Sequence, residues 1–401
     1  MARILLAWEL GGAYGHVMRF ATLARELARR GHEPVFALKD LAHVETALGS
    51  APYTVLQAPV WLGEVSGLPP PLGFAETTLR LGFLHPKALH GICRAWRALL
   101  AAVQPALIVC DYAPTALLAS RGLGIPRIVF GESFSSPPRS QPLPPYASWR
   151  VESRLRMAES ESHALAGANA ALDRLGQPPL ARLADLLDTE EEMFTCWPEF
   201  DQYPGRSAGV HLGPLANLDD GVAPHWPEVD GPRVFAYLKA QSRDFDAVIN
   251  ALRALEVSAV VHAPGLSQRQ QRLHLAPNIR FQAEPVRMAD VCREAALGIC
   301  NSGASTTQVL VGAGMPVLLL PEHIEQMTTA KRAAELGAGL VVDYEKAAPD
   351  FKRLLKRLLG EAAFREAAQA FAARHAGDDQ AARLARICDR IEAMLPAPAA
   401  A

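Results

Sequence analysis

A run of small and hydroxyl-bearing residues at positions 300–307, Cys-Asn-Ser-Gly-Ala-Ser-Thr-Thr, shows the clearest potential for chemistry in this sequence. The run follows a short apolar segment at 297–299 and precedes a helix-like segment that begins at Gln308. Backbone N–H groups at a helix N-terminus, together with the positive end of the helix dipole, bind anions and most often phosphate. Glycine-rich turns also serve purely steric purposes. The run alone therefore leaves phosphate binding and tight packing open.

A histidine and an aspartate in the first half of the sequence form a second candidate pair. His16 follows the first apolar segment and a glycine-rich loop, and Asp111 directly follows the fourth apolar segment. A neutral imidazole can accept a proton near neutral pH, and a carboxylate behind it fixes the tautomer and stabilises the imidazolium. Alternatively, His16 caps its own loop and Asp111 caps a helix that starts at Pro114. The pair thus indicates either a general base with its partner or two capping residues.

Alternating apolar and helix-like segments must position these residues. Apolar runs in the first half are followed by helix-like segments, and a second alternation starts at 234–238. This pattern predicts an α/β fold with parallel sheets covered on both faces, which bind ligands at the carboxyl ends of their strands. Prolines, glycines and acids between 211 and 232 predict a linker. The predicted organisation is a first domain at 1–215, a linker at 216–231, a second domain at 232–380, a final helix at 381–395 and a disordered tail at 396–401.

The composition excludes several classes of protein. The 401 residues are 50% apolar and carry a formal net charge of −2, so no global charge favours nucleic acid or an anionic membrane. The six cysteines have no paired spacing, which argues against a disulfide framework or a zinc site. The sequence contains neither a signal-peptide pattern nor an apolar run of about 18 residues. We therefore expect a cytoplasmic protein without an integral membrane segment, a metal site or a nucleic-acid partner.

Four motifs in the second half occur in a characteristic order, at 301–306, 314–316, 321–326 and 337–339. They read Asn-Ser-Gly-Ala-Ser-Thr, Gly-Met-Pro, Pro-Glu-His-Ile-Glu-Gln and Gly-Ala-Gly. The segment 277–343 that holds them resembles the signature region of nucleotide-sugar-dependent glycosyltransferases of the two-domain (GT-B) type, the UDP-glycosyltransferase-like family. In the first half, 11–17 resembles the Gly-x-x-Gly-His motif of that family, and 105–111 resembles the strand that carries the aspartate partner of the histidine.

The resemblance implies a fold of two Rossmann-like doubly wound domains that face each other across a cleft. It also implies an inverting transfer, in which His16 is the base, Asp111 orients it, and no metal or other cofactor takes part. The implied diphosphate contacts are Asn301, Ser302, Gly303, Ser305, Thr306 and Thr307. The donor sugar would be bound by Glu325 and Gln326, and the nucleobase by Pro285 and Val286. Further candidates for the donor loop are Gly12, Tyr14, Gly15 and Lys239.

Long insertions rich in aromatic residues and proline lie at the predicted ligand end of the first sheet. Such insertions suit an apolar wall for an acceptor, or they pack on the sheet. The candidates for the acceptor wall are Trp61, Phe74, Phe83 and Phe134. Lys239 likewise has two interpretations, as a charge at the diphosphate or as a solvated side chain.

Two residues depart from the family pattern. Asn301 stands where the family has a histidine that contacts phosphate, and Val309 stands where a carboxylate usually binds the ribose hydroxyls. UDP remains the first choice of nucleotide, with dTDP left open. The partners expected are a nucleotide sugar and an unidentified small-molecule acceptor. A nucleotide-sugar epimerase of the same fold and a non-catalytic nucleotide-sugar-binding helper remain alternatives.

Overall fold

The chain forms two compact α/β units. We describe them from a computed structural model, which describes residues 1–12, 14–63, 65–346 and 348–396. Unit 1 comprises Met1–Leu215 and Asp379–Ala401, and unit 2 comprises Ala216–Asp378. Of the predicted tail at 396–401, only Pro396 falls within the described residues.

Unit 1 is built on a parallel sheet in the order β3-β2-β1-β4-β5-β6-β7. Its strands are β1 Arg3–Trp8, β2 Glu33–Leu38, β3 Thr54–Gln57, β4 Leu107–Asp111, β5 Arg127–Gly131, β6 Glu191–Phe194 and β7 Val210–His211. The α-helices between them are α1 Tyr14–Arg29, α2 Val44–Leu48, α3 Phe74–Thr78, α4 Pro86–Val103, α5 Pro114–Ala119 and α6 Arg154–Arg174. The order turns outward in both directions from β1 and β4, as in a doubly wound sheet.

Unit 2 contains a second parallel sheet, in the order β10-β9-β8-β11-β12-β13. Its strands are β8 Arg233–Tyr237, β9 Ser258–His262, β10 Ile279–Gln282, β11 Leu297–Cys300, β12 Val317–Leu319 and β13 Gly339–Val341. Its helices are α7 Phe245–Arg253, α8 Gln268–Leu273, α9 Met288–Glu294, α10 Ala304–Gly312, α11 Ile324–Glu335, α12 Phe351–Gly360 and α13 Ala362–Arg374. Helix α14, Gln380–Ala393, is part of unit 1.

The sheet of unit 1 is buried on both faces, since successive strand residues point in opposite directions and apolar helices pack on each side. Leu5 packs into a core that contains Trp96 of α4, whereas Leu6 packs into a second core that contains Phe20 of α1 and Ile387 of α14. Helices therefore cover both faces, which is the α/β arrangement that the apolar runs predict. Parallel sheets covered in this way bind ligands at the carboxyl ends of their strands and in the loops that follow them.

Helix α14 is attached to unit 1 by charge as well as by packing. The guanidinium of Arg30, just after α1, donates to Asp389 at 2.6 Å and to Glu392 at 2.9 Å. His32 makes a further contact with Glu392 at 3.0 Å. Helix α14 thus packs beside α1.

The segment predicted as a linker packs on unit 2. The N–H of Val222 donates to the carbonyl of Pro285 at 2.9 Å, and the N–H of Arg287 donates back to the carbonyl of Val222 at 2.8 Å. These bonds form a short parallel bridge between the segment and the loop that precedes α9. No helix among the described residues is long and apolar enough to cross a membrane.

Candidate catalytic and donor-binding sites

The carboxyl ends of three adjacent strands meet in unit 1. Strand β1 lies beside β4, in a register that pairs Trp8 with Asp111, and β4 lies beside β5. Glu132 directly follows β5, and His16 lies in the first turn of α1, which follows β1. The strand order therefore brings together residues that are more than ninety positions apart in the sequence.

His16 and Asp111 form a hydrogen-bonded pair. His16 Nδ1 lies 2.9 Å from Asp111 Oδ2, and Asp111 is 1% exposed. Because an ionised carboxylate can only accept, the pair fixes the imidazole with its proton on Nδ1 and its lone pair on Nε2. The ring stacks on Trp8, with ring centroids 5.1 Å apart. This is the geometry that a general base requires.

The backbone beside His16 leaves room for the imidazole only because residue 11 is glycine. Gly11 has φ +93°, and a Cβ there would lie 2.3 Å from His16 Nε2. By contrast, a Cβ at Gly12 or Gly15 would meet nothing within 4 Å. Of the candidates for the donor loop, Gly12 and Gly15 are exposed, and the side chain of Tyr14 lies outside the described residues. The steric requirement therefore falls on Gly11, which the motif did not single out.

Asp111 is also bound by Arg19, a residue that the sequence reasoning missed. Arg19 Nη1 donates to Asp111 Oδ2 at 2.7 Å, and Arg19 Nη2 donates to Glu132 Oε1 at 2.7 Å. Burial alone would raise the pKa of Asp111, but His16 and Arg19 outweigh it and hold that pKa below its usual value. Arg19 follows His16 by three positions and so lies on the same face of α1. That spacing was the sequence signal that could have pointed to Arg19, but the carboxylates that Arg19 contacts come from other strands.

The four candidates for the acceptor wall fall into two groups. Phe74 and Phe83 are each 1% exposed and belong to the core between the sheet and α4 to α6. They pack on the sheet, which is the alternative that the sequence left open, because the insertion folds back as helix instead of extending into solvent. Trp61 is half-buried and stacks on His85, and Phe134 is largely buried and stacks on Tyr146 at 4.1 Å between ring centroids.

The small-residue run of unit 2 joins β11 to α10, as the sequence predicts. Gly303 is the exposed N-cap of α10, and the first bond of the helix runs from the N–H of Thr307 to the carbonyl of Gly303 at 2.9 Å. The amides between these two residues therefore precede the first intrahelical bond and carry the positive end of the dipole. Ser302, with φ +59°, is fully buried.

Two side chains of the run have structural partners. Asn301 Oδ1 accepts the backbone N–H of Lys239 at 2.9 Å, and Asn301 Nδ2 donates to the carbonyl of Leu320 at 3.2 Å. Asn301 thus links the ends of β8, β11 and β12 with a buried amide. Thr307 is fully buried, and its hydroxyl lies 3.7 Å from Cys300 Sγ. Both side chains have partners within the protein, and their contact with diphosphate stays a prediction, as it does for Ser305 and Thr306, which are half-buried at the start of α10.

Lys239 and the start of α11 are joined by Glu322. Lys239 Nζ lies 2.7 Å from Glu322 Oε2, and its side chain is 55% exposed. Burial alone would raise the pKa of Glu322, but the lysine ammonium lowers it on balance. The backbone N–H of Glu322 donates to Gln326 Oε1 at 2.8 Å, so buried Gln326 is held by the loop that it follows. Glu325 is half-buried in the first turn of α11.

The predicted contacts of the nucleobase and the ribose lie on neighbouring elements of unit 2. Pro285 is exposed and Val286 is buried, and the carbonyl of Pro285 already accepts from Val222. Val309 is half-buried within α10 and offers the ribose no polar atom of its side chain. Among the described residues, no group of three His, Cys, Asp or Glu side chains is placed to hold a metal ion.

Comparison with known proteins agrees with this architecture. Residues 246–391 match the family model described as erythromycin biosynthesis protein CIII-like, C-terminal domain. A PGL/p-HBAD biosynthesis glycosyltransferase of Mycobacterium tuberculosis is 26% identical over 398 residues, covering 92% of this chain and 88% of the relative. A PGL/p-HBAD biosynthesis rhamnosyltransferase of Mycobacterium bovis is 28% identical over 141 residues, covering 34% of this chain and 30% of the relative.

Solved structures resemble the chain along nearly its whole length. The glycosyltransferase of kitacinnamycin superposes with a TM-score of 0.72 at 19% identity, covering 98% of this chain and 99% of that one. The calicheamicin glycosyltransferase CalG4 gives 0.71 at 21% identity, covering 100% and 99%. The glycosyltransferase VinC, solved with dTDP, gives 0.66 at 19% identity, covering 97% and 100%.

These likenesses confirm the GT-B fold that the motifs predict. In sequence and in fold, the chain is similar to nucleotide-sugar-dependent glycosyltransferases. The epimerase and the non-catalytic helper, which the sequence left open, find no support in these relatives.

Proposed function

We propose that this protein transfers a sugar from a nucleoside diphosphate sugar to a hydroxyl of a small-molecule acceptor, in one displacement with inversion at the anomeric carbon. The observation that carries the proposal is the pair formed by His16 Nδ1 and Asp111 Oδ2, at 2.9 Å with a buried carboxylate. A hydroxyl is a poor nucleophile until a base removes its proton. His16 Nε2 carries the lone pair that would accept that proton.

Asp111 would hold His16 in the tautomer and orientation that a base requires. Burial alone would raise the pKa of Asp111, but His16 and Arg19 outweigh that effect and hold the pKa below its usual value, which favours the ionised carboxylate. An ionised Asp111 fixes the Nδ1–H tautomer and stabilises the imidazolium that forms as the proton moves. Placement of such a base contributes about 10² to 10⁴-fold to a rate.

The N-terminus of α10 would receive the diphosphate leaving group. The amides that follow Gly303 precede the first helical bond and stabilise negative charge that develops on a phosphate. Ser305 and Thr306 add hydroxyls beside these amides. Lys239 is close enough to Glu322 to be neutralised by it, so the positive charge would come mainly from the helix. We propose that no metal ion is needed for transfer.

Gln326 and Glu325 would bind the hydroxyls of the donor sugar. Gln326 is held in place because its Oε1 accepts the N–H of Glu322, which leaves its amide hydrogens for other partners. Glu325 opens α11 directly beside it. Such contacts hold the anomeric carbon in line with the attacking oxygen.

We propose that the nucleotide is thymidine diphosphate (dTDP, written TDP below). A valine at position 309 gives no acceptor for the 2′-hydroxyl of a ribose, whereas a deoxyribose has no hydroxyl there. The solved glycosyltransferases VinC and SpnG were each crystallised with thymidine diphosphate, which supports the same choice. This proposal places TDP ahead of UDP, the reverse of the order expected from sequence.

The test compares His16→Ala with a surface control, His163→Ala, which lies exposed on α6. Acceptors are found by mass spectrometry of a hydroxyl-bearing panel incubated with TDP-sugars, and NMR gives the anomeric configuration of the product. We expect His16→Ala to lower turnover by about 10²-fold or more and to leave TDP affinity unchanged. A product with retained configuration, or turnover of His16→Ala within a few-fold of the wild type, would overturn the proposal.

A further inference from the structure

The buried arginine beside the catalytic pair joins two carboxylates. Arg19 is 7% exposed, and its two terminal nitrogens each donate at 2.7 Å, one to Asp111 and one to Glu132. Asp111 is 1% exposed and Glu132 is 7% exposed. The contacts therefore run from His16 through Asp111 and Arg19 to Glu132, with little access to water. In such surroundings charges are screened weakly, and each affects the next.

Asp111 Oδ2 receives two donors of different kinds. Both His16 Nδ1 and Arg19 Nη1 contact this one oxygen. A cation at that position keeps Asp111 ionised, but it also makes a second positive charge on the imidazole less favourable. The negative charge of Glu132 offsets the positive charge of the arginine. The net charge of Asp111, Arg19 and Glu132 is then −1, the same as that of a single aspartate.

The backbone preserves space for this arrangement. Gly131 has φ +130°, and a Cβ there would lie 2.6 Å from Asp111 Oδ1 and 2.9 Å from Arg19 Nη1. A side chain at the end of β5 would therefore displace both members of the ion pair. This steric requirement is independent of any electrostatic argument.

We propose that Arg19 and Glu132 are positioning residues for the general base: Arg19 holds Asp111 against His16, and Glu132 offsets the positive charge that Arg19 places beside the imidazole. The link to catalysis rests on the proposed function of His16. The electrostatic effect on the imidazole does not rest on that proposal, and it can be measured without any substrate.

Two other charged groups lie at the same edge of the sheet. The carboxylate of Glu9 accepts the N–H groups of Thr115 and Ala116, and the ammonium of Lys39 donates to the carbonyl of Gly11 at 3.0 Å. Burial raises the pKa of Glu9 to about 7, although the hydrogen bonds from Thr115 and Ala116 oppose that rise. Glu9 therefore titrates in the range of a histidine, and the comparison below is repeated with Glu9→Gln in every protein.

The experiment follows the imidazole of His16 in the ligand-free full chain. Histidine is labelled with ¹³C at the ring, the His16 signal is identified by its loss in His16→Gln, and its midpoint is read between pH 5 and 9. Glu132→Gln keeps the shape of the side chain and removes its charge. The matched control is Glu192→Gln, because Glu192 pairs with Arg139 at 2.8 Å on β6 without contacting Asp111.

We expect Glu132→Gln to lower the midpoint of His16 by about one pH unit, because the net charge of Asp111, Arg19 and residue 132 then rises from −1 to 0. The double variant Arg19→Gln/Glu132→Gln restores the net charge of −1 and should return the midpoint toward that of the wild type. Glu192→Gln should leave it unchanged. An unchanged or raised midpoint in Glu132→Gln, with the protein folded, would overturn the electrostatic role.

Arg19→Lys tests the positioning role. Lysine keeps the charge but lacks the planar fork that bridges two carboxylates. We expect kcat to fall about tenfold while the KM for the TDP-sugar is unchanged, and we expect the NMR midpoint to move little. Unchanged kcat in Arg19→Lys would overturn the positioning role. If His16→Ala were fully active, the proposed function would fail while the titration result still stood, so the two failures are distinguishable.

Discussion

Replacement of Gly11 by alanine should disable the base without touching the donor site. The new Cβ would lie 2.3 Å from His16 Nε2, whereas ordinary van der Waals contact begins at 3.4 Å. The imidazole would therefore have to move by about 1 Å, which is enough to break the 2.9 Å hydrogen bond to Asp111. A misplacement of about 1 Å can cost about 10²-fold in rate.

The substitution also strains the backbone. Gly11 has φ +93°, a conformation that costs a residue with a Cβ roughly 1–2 kcal/mol. That loss is too small to unfold a protein of ordinary stability, so the variant should be folded but inactive. The expected result is turnover reduced about 10²-fold, as in His16→Ala, with unchanged affinity for TDP by calorimetry.

Gly12→Ala is the matched control. A Cβ at this neighbouring glycine meets nothing within 4 Å, so activity should stay within a few-fold of the wild type. The reasoning would be refuted if Gly11→Ala and Gly12→Ala had similar activity. It would also be refuted if Gly11→Ala lost TDP binding and turnover together, since that would place the effect in folding or in the donor site.

Three other predictions concern the donor site. Asn301→Ala removes the amide that links three strand ends. The N–H of Lys239 and the carbonyl of Leu320 then lose their hydrogen bonds to this side chain, so chemical unfolding should show that the free energy of unfolding falls by about 2–4 kcal/mol. Activity should persist in excess chelator, and complete loss that magnesium or manganese restores would contradict the assignment of the diphosphate to α10. Calorimetry should show that TDP binds more tightly than UDP, and Val309→Glu should narrow or reverse that difference; tighter binding of UDP to the wild type would contradict the role given to Val309.

The alternation of strands and helices was predictable because each strand or helix has its own local pattern of apolar residues. Strand β6 was not predicted because it begins with Glu191 and Glu192, and β7 was not because Val210–His211 is too short to give a pattern. These strands are specified by pairing with β5, which lies far away in the sequence. The periodicity of apolar residues indicates which segments are buried, and it gives little information on a short strand at the edge of a sheet.

Contacts within the candidate sites were predictable only in part. The pairing of His16 with Asp111 follows from two strand ends that the order of a doubly wound sheet makes adjacent. The partners of Arg19 require in addition that β5 lie beside β4, and nothing local to Glu132 shows that. The partners of Asn301 likewise follow β8 and β12, so the motif alone could not show that its amide links these strand ends, and its contact with phosphate stays a prediction.

Glu9 provides a prediction that no motif suggested. Burial raises its pKa from 4.5 to about 7, against the opposing hydrogen bonds from Thr115 and Ala116. The folded state therefore favours the protonated acid, and this contribution to stability is complete below pH 4.5 and is lost as the pH rises through about 7. The wild type should lose roughly 3 kcal/mol of unfolding free energy between pH 5 and pH 8 that Glu9→Gln does not lose. Chemical unfolding at the two pH values measures this difference, and equal losses in both proteins would show that Glu9 stays ionised at the start of α5 throughout.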